Sequence, residues 1–496
     1  MTTPECDIIL TTDRTLMSNY RGRYELGLVS AVPVDHLPIN LFEHIFFPRM
    51  DIGNGKQISA PYGLRKIESA LINAGHSTVT IDARQLKKLS FKPKIIGIYT
   101  IDPLAHGPTF SWRNLVSSGE TFTKRNFDLL MFDPALIKLQ KQGVKIIIGG
   151  PGAWQFRGKP NLLDHYGIDH VIIGQAELAV IDVISKLLKN RPHPRIYEVP
   201  NSQIPKRKDI PAIKNPSING IVEIGRGCSR RCRFCEVANH GFNWFTLEFI
   251  EKEFKVNQRS GIKEGTLHSD DVLLYGSKNF HPNAKQLIEL FQKSIEYYEK
   301  IMVTHASIAS ITASKLLLPM IMDSILTNQE YLAVQVGVET GSPRLLEKFM
   351  PNKAKPFKIE DWQELVVNAS GIMQDNNILP YYTIITGLPG ESKKDIISTV
   401  KLIEKLRDYR CTISQASFIP LGKMTNNSKK NEEEYEECYY DLWITCLEHN
   451  KKWAPIIIKN LTKTIPFNRF FYPFYYYFNW KMKRKLKTSF TLPNRI

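Results

Sequence analysis

The chain reads as an α/β protein: a doubly wound parallel sheet, then a partial (β/α)6 barrel, then a helical extension rich in aromatic and basic residues. Three observations lead there. From Ala60 onward, short apolar strands alternate with segments of helical period, separated by glycine turns. A stretch rich in Pro, Lys and Asn interrupts that rhythm at about residue 190, and the alternation then renews at Asn219. Finally, Lys451 to Ile496 contains no Asp or Glu but many Lys and Arg. The boundaries expected are 1–190, a linker over 191–217, a barrel over 218–425, and an extension over 426–496.

Composition narrows the class. A chain of 496 residues is long for one domain, and a hydrophobic content of 43% supplies ordinary cores. No apolar run reaches membrane-spanning length, and no basic start with an apolar middle marks a signal peptide. The expected location is therefore cytoplasmic, with peripheral attachment at the inner face of the membrane as the variant suggested by the tail. Seven cysteines without paired spacing argue against a secreted disulfide framework. Cys6, Cys411, Cys438 and Cys446 read as isolated structural thiols. The net charge of +17 favours an anionic partner.

In the first half, Asp7 to Thr12 reads as a buried strand, and the apolar stretch Asn40 to Phe47 as a short helix stopped by Pro48. Leu64, Ile67, Ala70, Leu71 and Ala74 recur at helical spacing, with Gly75 as the stop. Strands follow at Val79–Asp82 and Lys94–Thr100, a helix at Ala135–Gln142, strands at Val144–Ile148 and Asp169–Ile173, and a helix at Leu178–Leu188. Ligands of such sheets gather at the carboxyl ends of the strands, here Tyr99 to Asp102 and Gly149 to Gly152. Trp112 and Trp154 are candidates to line a pocket, with aromatic packing as the default.

The second half renews the pattern. Asn219–Ile224 is the first strand and delivers a cysteine loop at its carboxyl end. Thr246–Val256 and Lys285–Tyr298 read as helices; Gly265–Asp271 as a strand end; and Lys300–Ser307, Gln335–Ser342, Leu379–Thr386 and Thr412–Ile419 as further strands, with helices at Leu345–Phe349 and Ile396–Leu406. Polar residues at the strand ends place the chemistry on the carboxyl face of a TIM-type partial barrel.

The chemistry concentrates in Gly225 to Cys235, where Cys228, Cys232 and Cys235 are spaced C-x3-C-x2-C. Three thiolates from one short loop can ligate three irons of a cubane cluster and leave the fourth open to a small molecule. The competing reading is a zinc loop, which wants a fourth Cys or His at finger-like spacing; His240 is the near candidate, and the x3 gap is unusual for zinc.

This loop, with Phe234 just before the third cysteine, resembles that of the radical S-adenosylmethionine (SAM) superfamily. The resemblance implies that Cys228, Cys232 and Cys235 bind a [4Fe-4S] cluster whose open iron chelates the amino and carboxylate groups of SAM. One electron from a low-potential donor of ferredoxin or flavodoxin type then yields a 5′-deoxyadenosyl radical, which abstracts hydrogen from an unactivated carbon. Asp270 and Asp271 fall where the family contacts the SAM amino group. Val336–Ser342, with Glu339, resembles the strand beside the ribose and methionine, and Gly387-Leu388-Pro389-Gly390-Glu391 the G-x-P-G-E turn. A structural role alone competes for Asp271 and Glu339, and a turn role for Gly387 and Gly390. No catalytic residue is assigned.

Residues 1–190 resemble the Rossmann-like cobalamin-binding domain that precedes the barrel in one subclass, through Ala74-Gly75-His76, Ile96-Gly97-Ile98 and Gly149-Gly150-Pro151. The motif D-x-H-x-x-G is absent, since Asp102 and His106 stand four apart. Either cobalamin binds without a protein histidine or the domain keeps the fold without the cofactor. The whole resembles archaeal enzymes of two kinds: those that close cyclopentane rings in tetraether membrane lipids, and those that methylate sp3 carbons of a protein or small metabolite. The tail favours the lipid reading, because Phe467 to Trp480 followed by Lys481 to Lys487 suits a headgroup interface. Pro466 and Pro473 argue against a long helix there. A membrane lipid or membrane surface is thus the expected partner besides SAM, and nucleic acid is not expected. A non-enzymatic iron–sulfur protein is the remaining alternative.

Overall fold

The computed structural model describes residues 3–35, 38–50, 52–53, 56–57, 59–107, 119–237, 242–427, 437–463 and 471–491. The chain divides into two compact units, one from residues 1–107, 119–222 and 248–262, the other including 223–247 and 263–496.

The first unit is built on a six-stranded sheet: β1 (Ile8–Thr12), β2 (Thr78–Thr80), β3 (Ile95–Tyr99), β4 (Lys145–Gly149), β5 (His170–Ile173) and β6 (Ile196–Glu198). The spatial order is β2-β1-β3-β4-β5-β6 and every pair is parallel. The strands are Ile- and Val-rich because both faces are covered. Ile9, Ile96, Ile98, Ile146 and Ile148 pack on one side with Phe127 and Phe156. Ile8, Leu10, Ile95 and Ile147 pack on the other against Leu64, Leu71, Val183 and Ile184. This is the doubly wound sheet expected, and its order reverses between β1 and β3.

Two features differ from expectation. The Pro-rich stretch contributes the edge strand β6, because Val171 to Ile173 offer a free ladder that Ile196 to Glu198 complete. Residues 211–217 are also docked: Arg65 Nε donates to the Pro216 carbonyl at 2.9 Å and Lys66 Nζ to that of Pro211 at 2.8 Å. Lys66 also pairs at 2.5 Å with Glu253, which accepts from Tyr62 Oη at 2.7 Å and from the Ile213 amide at 3.0 Å. Lys66 and Glu253 are buried, and this set of partners offsets their desolvation. Glu253 lies on the helix Leu247–Arg259, and residues 248–262 group with the first unit.

The second unit carries parallel strands with helices behind them. β8 (Glu264–His268) pairs with β9 (Lys300–Val303), and β7 (Ile221–Glu223) completes a three-stranded sheet in the order β9-β8-β7. β10 (His305–Ala306), β11 (Leu332–Glu339), β12 (Ile378–Thr386) and β13 (Thr412–Ser417) form a four-stranded parallel sheet in that order. The expected strand Lys300–Ser307 breaks at Thr304, whose amide bonds to Leu267 while its carbonyl accepts from Gln335. That hand-over from one sheet to the next lets the surface curve. Helices Ala284–Tyr297, Pro343–Phe349, Trp362–Asp375 and Lys393–Lys405 cover its outer face.

The tail corrects one expectation. Phe471–Thr491 is a helix, and Pro473 sits in its first turn, where a backbone N–H has no intrahelical partner to lose. Pro466 lies outside the described residues, as do Trp112 and His240.

Asp13 follows β1 at the order reversal. Its Oδ1 accepts from the Thr15 amide at 2.8 Å and hydroxyl at 2.5 Å, while Oδ2 is buried without a partner. Burial pushes its pKa up to about 6. The folded state therefore holds the proton more tightly than the unfolded chain, so the stability due to this group is complete below pH 4 and is lost as pH rises through about 6. We expect the unfolding free energy of the first unit, read from urea titration, to fall across that window by up to about 3 kcal/mol, and Asp13→Asn, which keeps Oδ1, to flatten the profile.

Candidate functional site

Glu223 ends β7, and the cysteine loop leaves the sheet there. Two devices fix it. Arg231 takes a left-handed φ of 52°, which turns the chain back between Cys228 and Cys232. Arg230 points inward and is 4% exposed. Its Nη1 donates to the carbonyls of Asn352 (3.1 Å), Lys353 (3.0 Å) and Lys355 (2.8 Å). Its Nη2 donates to Ser307 Oγ at 2.6 Å and, with Nε, to Asp271 Oδ2 at 3.2 and 3.3 Å. The Arg233 amide bonds to the Phe349 carbonyl and the Arg233 carbonyl to the Lys423 amide, both at 2.9 Å.

The three cysteines are free and half-buried. Burial pushes the Cys228 thiol up to about 12, with Asp270 adding to the effect, and the Cys232 thiol up to about 11 against the opposing pull of Lys353. A bound cation reverses such a shift by holding the thiolate. Among the described residues, no three His, Cys, Asp or Glu side chains are gathered closely enough to enclose a single ion. Three donors spaced along one short loop can each reach a separate corner of a cubane.

The carboxylates expected near SAM divide by partner. Asp271 is buried and committed within the protein: besides Arg230, its Oδ1 accepts from Ser310 Oγ at 2.6 Å and the Ser307 amide at 3.3 Å. Glu339 sits at a register shift in β11 with φ 67°, pairs with Lys353 Nζ at 2.9 Å and accepts from Thr383 Oγ1 at 3.2 Å. Glu223 is held twofold by Arg226, both bonds 2.8 Å. Asp270 has no such cation against it; burial, then Glu223 and Asp271, push its pKa up to about 7. Phe234 is half-buried within the loop. Gly387 and Gly390 take φ of 80° and 75° in a turn closed by Glu391, which accepts from the Gly387 amide at 2.6 Å and from Tyr439 Oη at 2.7 Å.

Sequence reasoning missed Arg230, Lys353, His268, His305 and Gln335. Arg230 sits between Cys228 and Cys232, the one local signal available; the others lie on separate strands and loops. The four remaining cysteines are buried, as expected of structural thiols.

At the carboxyl edge of the first sheet, Asp102 serves its own loop, Oδ1 accepting from the Gly107 amide at 2.8 Å and Gln155 Nε2 at 2.6 Å. His106 is exposed, its Nδ1 3.5 Å from Lys159 Nζ. Cβ atoms at Gly150 or Gly152 would lie 2.6 Å from the Thr100 carbonyl and 2.4 Å from that of Ile101. Glycine at these two positions lets the 149–152 turn close directly onto the backbone of residues 100–101.

Residues 222–403 match the family model for the radical SAM superfamily. Over 287 residues, or 56% of the chain, the sequence is 26% identical to a tRNA-2-methylthio-N(6)-dimethylallyladenosine synthase of Petrotoga mobilis, covering 62% of it. Over 266 residues it is 26% identical to the ribosomal protein uS12 methylthiotransferase RimO of Clostridioides difficile, covering 52% of this chain and 56% of that protein. The chain thus spans about three fifths of the length of these curated relatives. In fold it is similar to the radical SAM methyltransferase TsrM from Kitasatospora setae, solved with cobalamin and a [4Fe-4S] cluster, at a TM-score of 0.54 and 14% identity over 85% of this chain and 77% of that one.

Arg230→Ala should leave Asp271 buried without its cation, at a cost of about 3–5 kcal/mol. After anaerobic reconstitution, iron bound per chain is expected to fall with it, whereas the exposed Arg233→Ala should retain iron.

Proposed function

From the premise that the chain carries a radical SAM domain, we propose that it is a methyltransferase acting on carbon, with Cys228, Cys232 and Cys235 holding a [4Fe-4S] cluster. The observation that carries this reading is the three-thiol loop clamped at the carboxyl end of a parallel half-barrel by Arg230. A cluster bound there would supply one electron to SAM from a low-potential ferredoxin- or flavodoxin-type donor. Asp270 is the carboxylate best suited to meet the SAM ammonium, because Glu223, Asp271 and Glu339 are already paired with Arg226, Arg230 and Lys353. Lys353 and Arg230 offset the negative charge of thiolates at the loop.

Methyl transfer is favoured over ring closure in a lipid by two observations. The fold likeness that extends over 85% of the chain is to a methyltransferase, and the half-buried face of the second unit's sheet carries His268, His305, Gln335 and Tyr381. A corrinoid would meet the carboxyl edge of the first sheet at Gly149, where a Cβ would meet nothing within 4 Å, without a protein histidine on the metal.

Anaerobic protein reconstituted with iron and sulfide, supplied with dithionite, cobalamin and methyl-labelled SAM, should retain corrinoid on gel filtration and convert SAM to S-adenosylhomocysteine and 5′-deoxyadenosine. Cys228→Ala, Cys232→Ala and Cys235→Ala should each abolish that conversion. Iron-loaded wild-type protein that leaves SAM intact would sink the reading.

A second observation favours attachment to an anionic lipid surface. Tyr476, Tyr477 and Trp480 are 47%, 50% and 56% exposed on one face of the terminal helix, which continues into exposed Lys483, Arg484 and Lys487. Arg484 lies 5.6 Å from the Trp480 ring centroid. Among the described residues no helix is long and apolar enough to cross a membrane, so contact would be peripheral. Co-sedimentation with phosphatidylserine-containing vesicles, but not with phosphatidylcholine alone, is expected. Lys483→Glu with Arg484→Glu should weaken it by about 1 kcal/mol per charge removed. Equal binding to both vesicle types would overturn this attachment.

A further inference from the structure

The half-buried face of the second unit's sheet carries polar groups among apolar ones. Along β11 and β12, Val334, Val336, Val338, Tyr382 and Ile384 are buried, while Gln335, Tyr381 and Thr383 alternate with them on the half-buried face together with Ala333, Gly337 and Ile385. His268 at the end of β8, His305 on β10 and Ser414 on β13 are half-buried in the same way.

Two of these side chains carry a ring nitrogen with no hydrogen-bond partner among the described residues. Thr304 Oγ1 lies 3.1 Å from both the Ser269 carbonyl and His268 Nδ1, which ties His268 down through Nδ1 and leaves its Nε2 without a partner there. The His305 ring lies 6.3 Å away at 62° and is hydrogen-bonded to the Gln335 side chain and the Ser269 backbone, while its Nδ1 is buried without a partner among the described residues. Glu223 and Arg226, paired with each other, face His268. Burial pushes both histidines down, His305 to about 4, which keeps the rings neutral near pH 7.

We propose that His268, His305 and Gln335 form the recognition site for the methyl acceptor, and that this acceptor is a polar molecule with N–H or O–H groups beside the reacting carbon, such as a peptide amide or a nitrogen heterocycle. A saturated isoprenoid chain would leave these polar atoms desolvated and unpaired, which costs about 1–3 kcal/mol for each. This rests on the methyl-transfer reading and specifies its substrate.

The test incubates reconstituted holoenzyme with methyl-labelled SAM and an extract of source cells, then partitions the products between chloroform and water. Label in a protein or water-soluble product other than SAM and methionine is expected; label in chloroform-extractable lipid would overturn the proposal. Consumption of SAM with all of the label left in methionine, the product of reductive cleavage alone, would defeat the methyl-transfer reading itself, and the proposal with it. With the unlabelled extract fraction that gives rise to the labelled product as the acceptor probe, His268→Phe should raise its apparent KM roughly tenfold, the loss of one hydrogen bond, with a smaller change in kcat. His268→Gln, which restores an acceptor, should recover it. Iron content is the control for folding, and an unchanged KM in an iron-replete His268→Phe variant would also overturn the assignment.

Discussion

The second unit depends on a buried guanidinium. Arg230 reaches from inside the cysteine loop to three carbonyls of the 352–355 turn, to Asp271 after β8 and to Ser307 after β10. Away from water these charge-assisted bonds are strong, and a planar fork with five N–H donors is the side chain that can make them together. The loop that offers three thiols is thereby tied to the ends of two strands and to a turn before any ligand is considered. Lys353, in that same turn, brings a cation toward Cys232 and Glu339.

Around that anchor, carboxylates at the strand ends are paired one by one, and Asp270 is left to interact outward. The face below is lined by imidazole, carboxamide, phenol and hydroxyl groups. On the reading proposed above, these groups would ask for hydrogen bonds from what binds there, which is poorly matched to the hydrocarbon substrate that the tail alone brings to mind.

Period and spacing made much of this legible. Ile8–Thr12, Ile95–Tyr99 and Lys145–Gly149 are read within a residue or so, because strands buried on both faces must be continuous apolar runs. The cysteine loop is legible because its donors are local in sequence. Ile196–Glu198 was hidden by flanking prolines and a weak apolar signal, and pairing at the sheet edge decided it. Pro473 misled because its effect depends on its place in the helix. His268, His305 and Gln335 escaped notice for a different reason: each is unremarkable in its own segment, and only the sheet brings them to one face. Arg230 drew no assignment, since nothing in the order of residues says that a side chain turns inward.

The partition of the chain bears on how it is made. Residues 248–262 belong to the first unit, and Glu253 among them neutralises the buried Lys66. During synthesis the nascent first unit must therefore wait, with Lys66 unmatched, until the ribosome has already released the segment bearing Cys228 to Cys235. Those thiols emerge while their upstream neighbour is still incomplete, so early oxidation would strike an unfinished polypeptide.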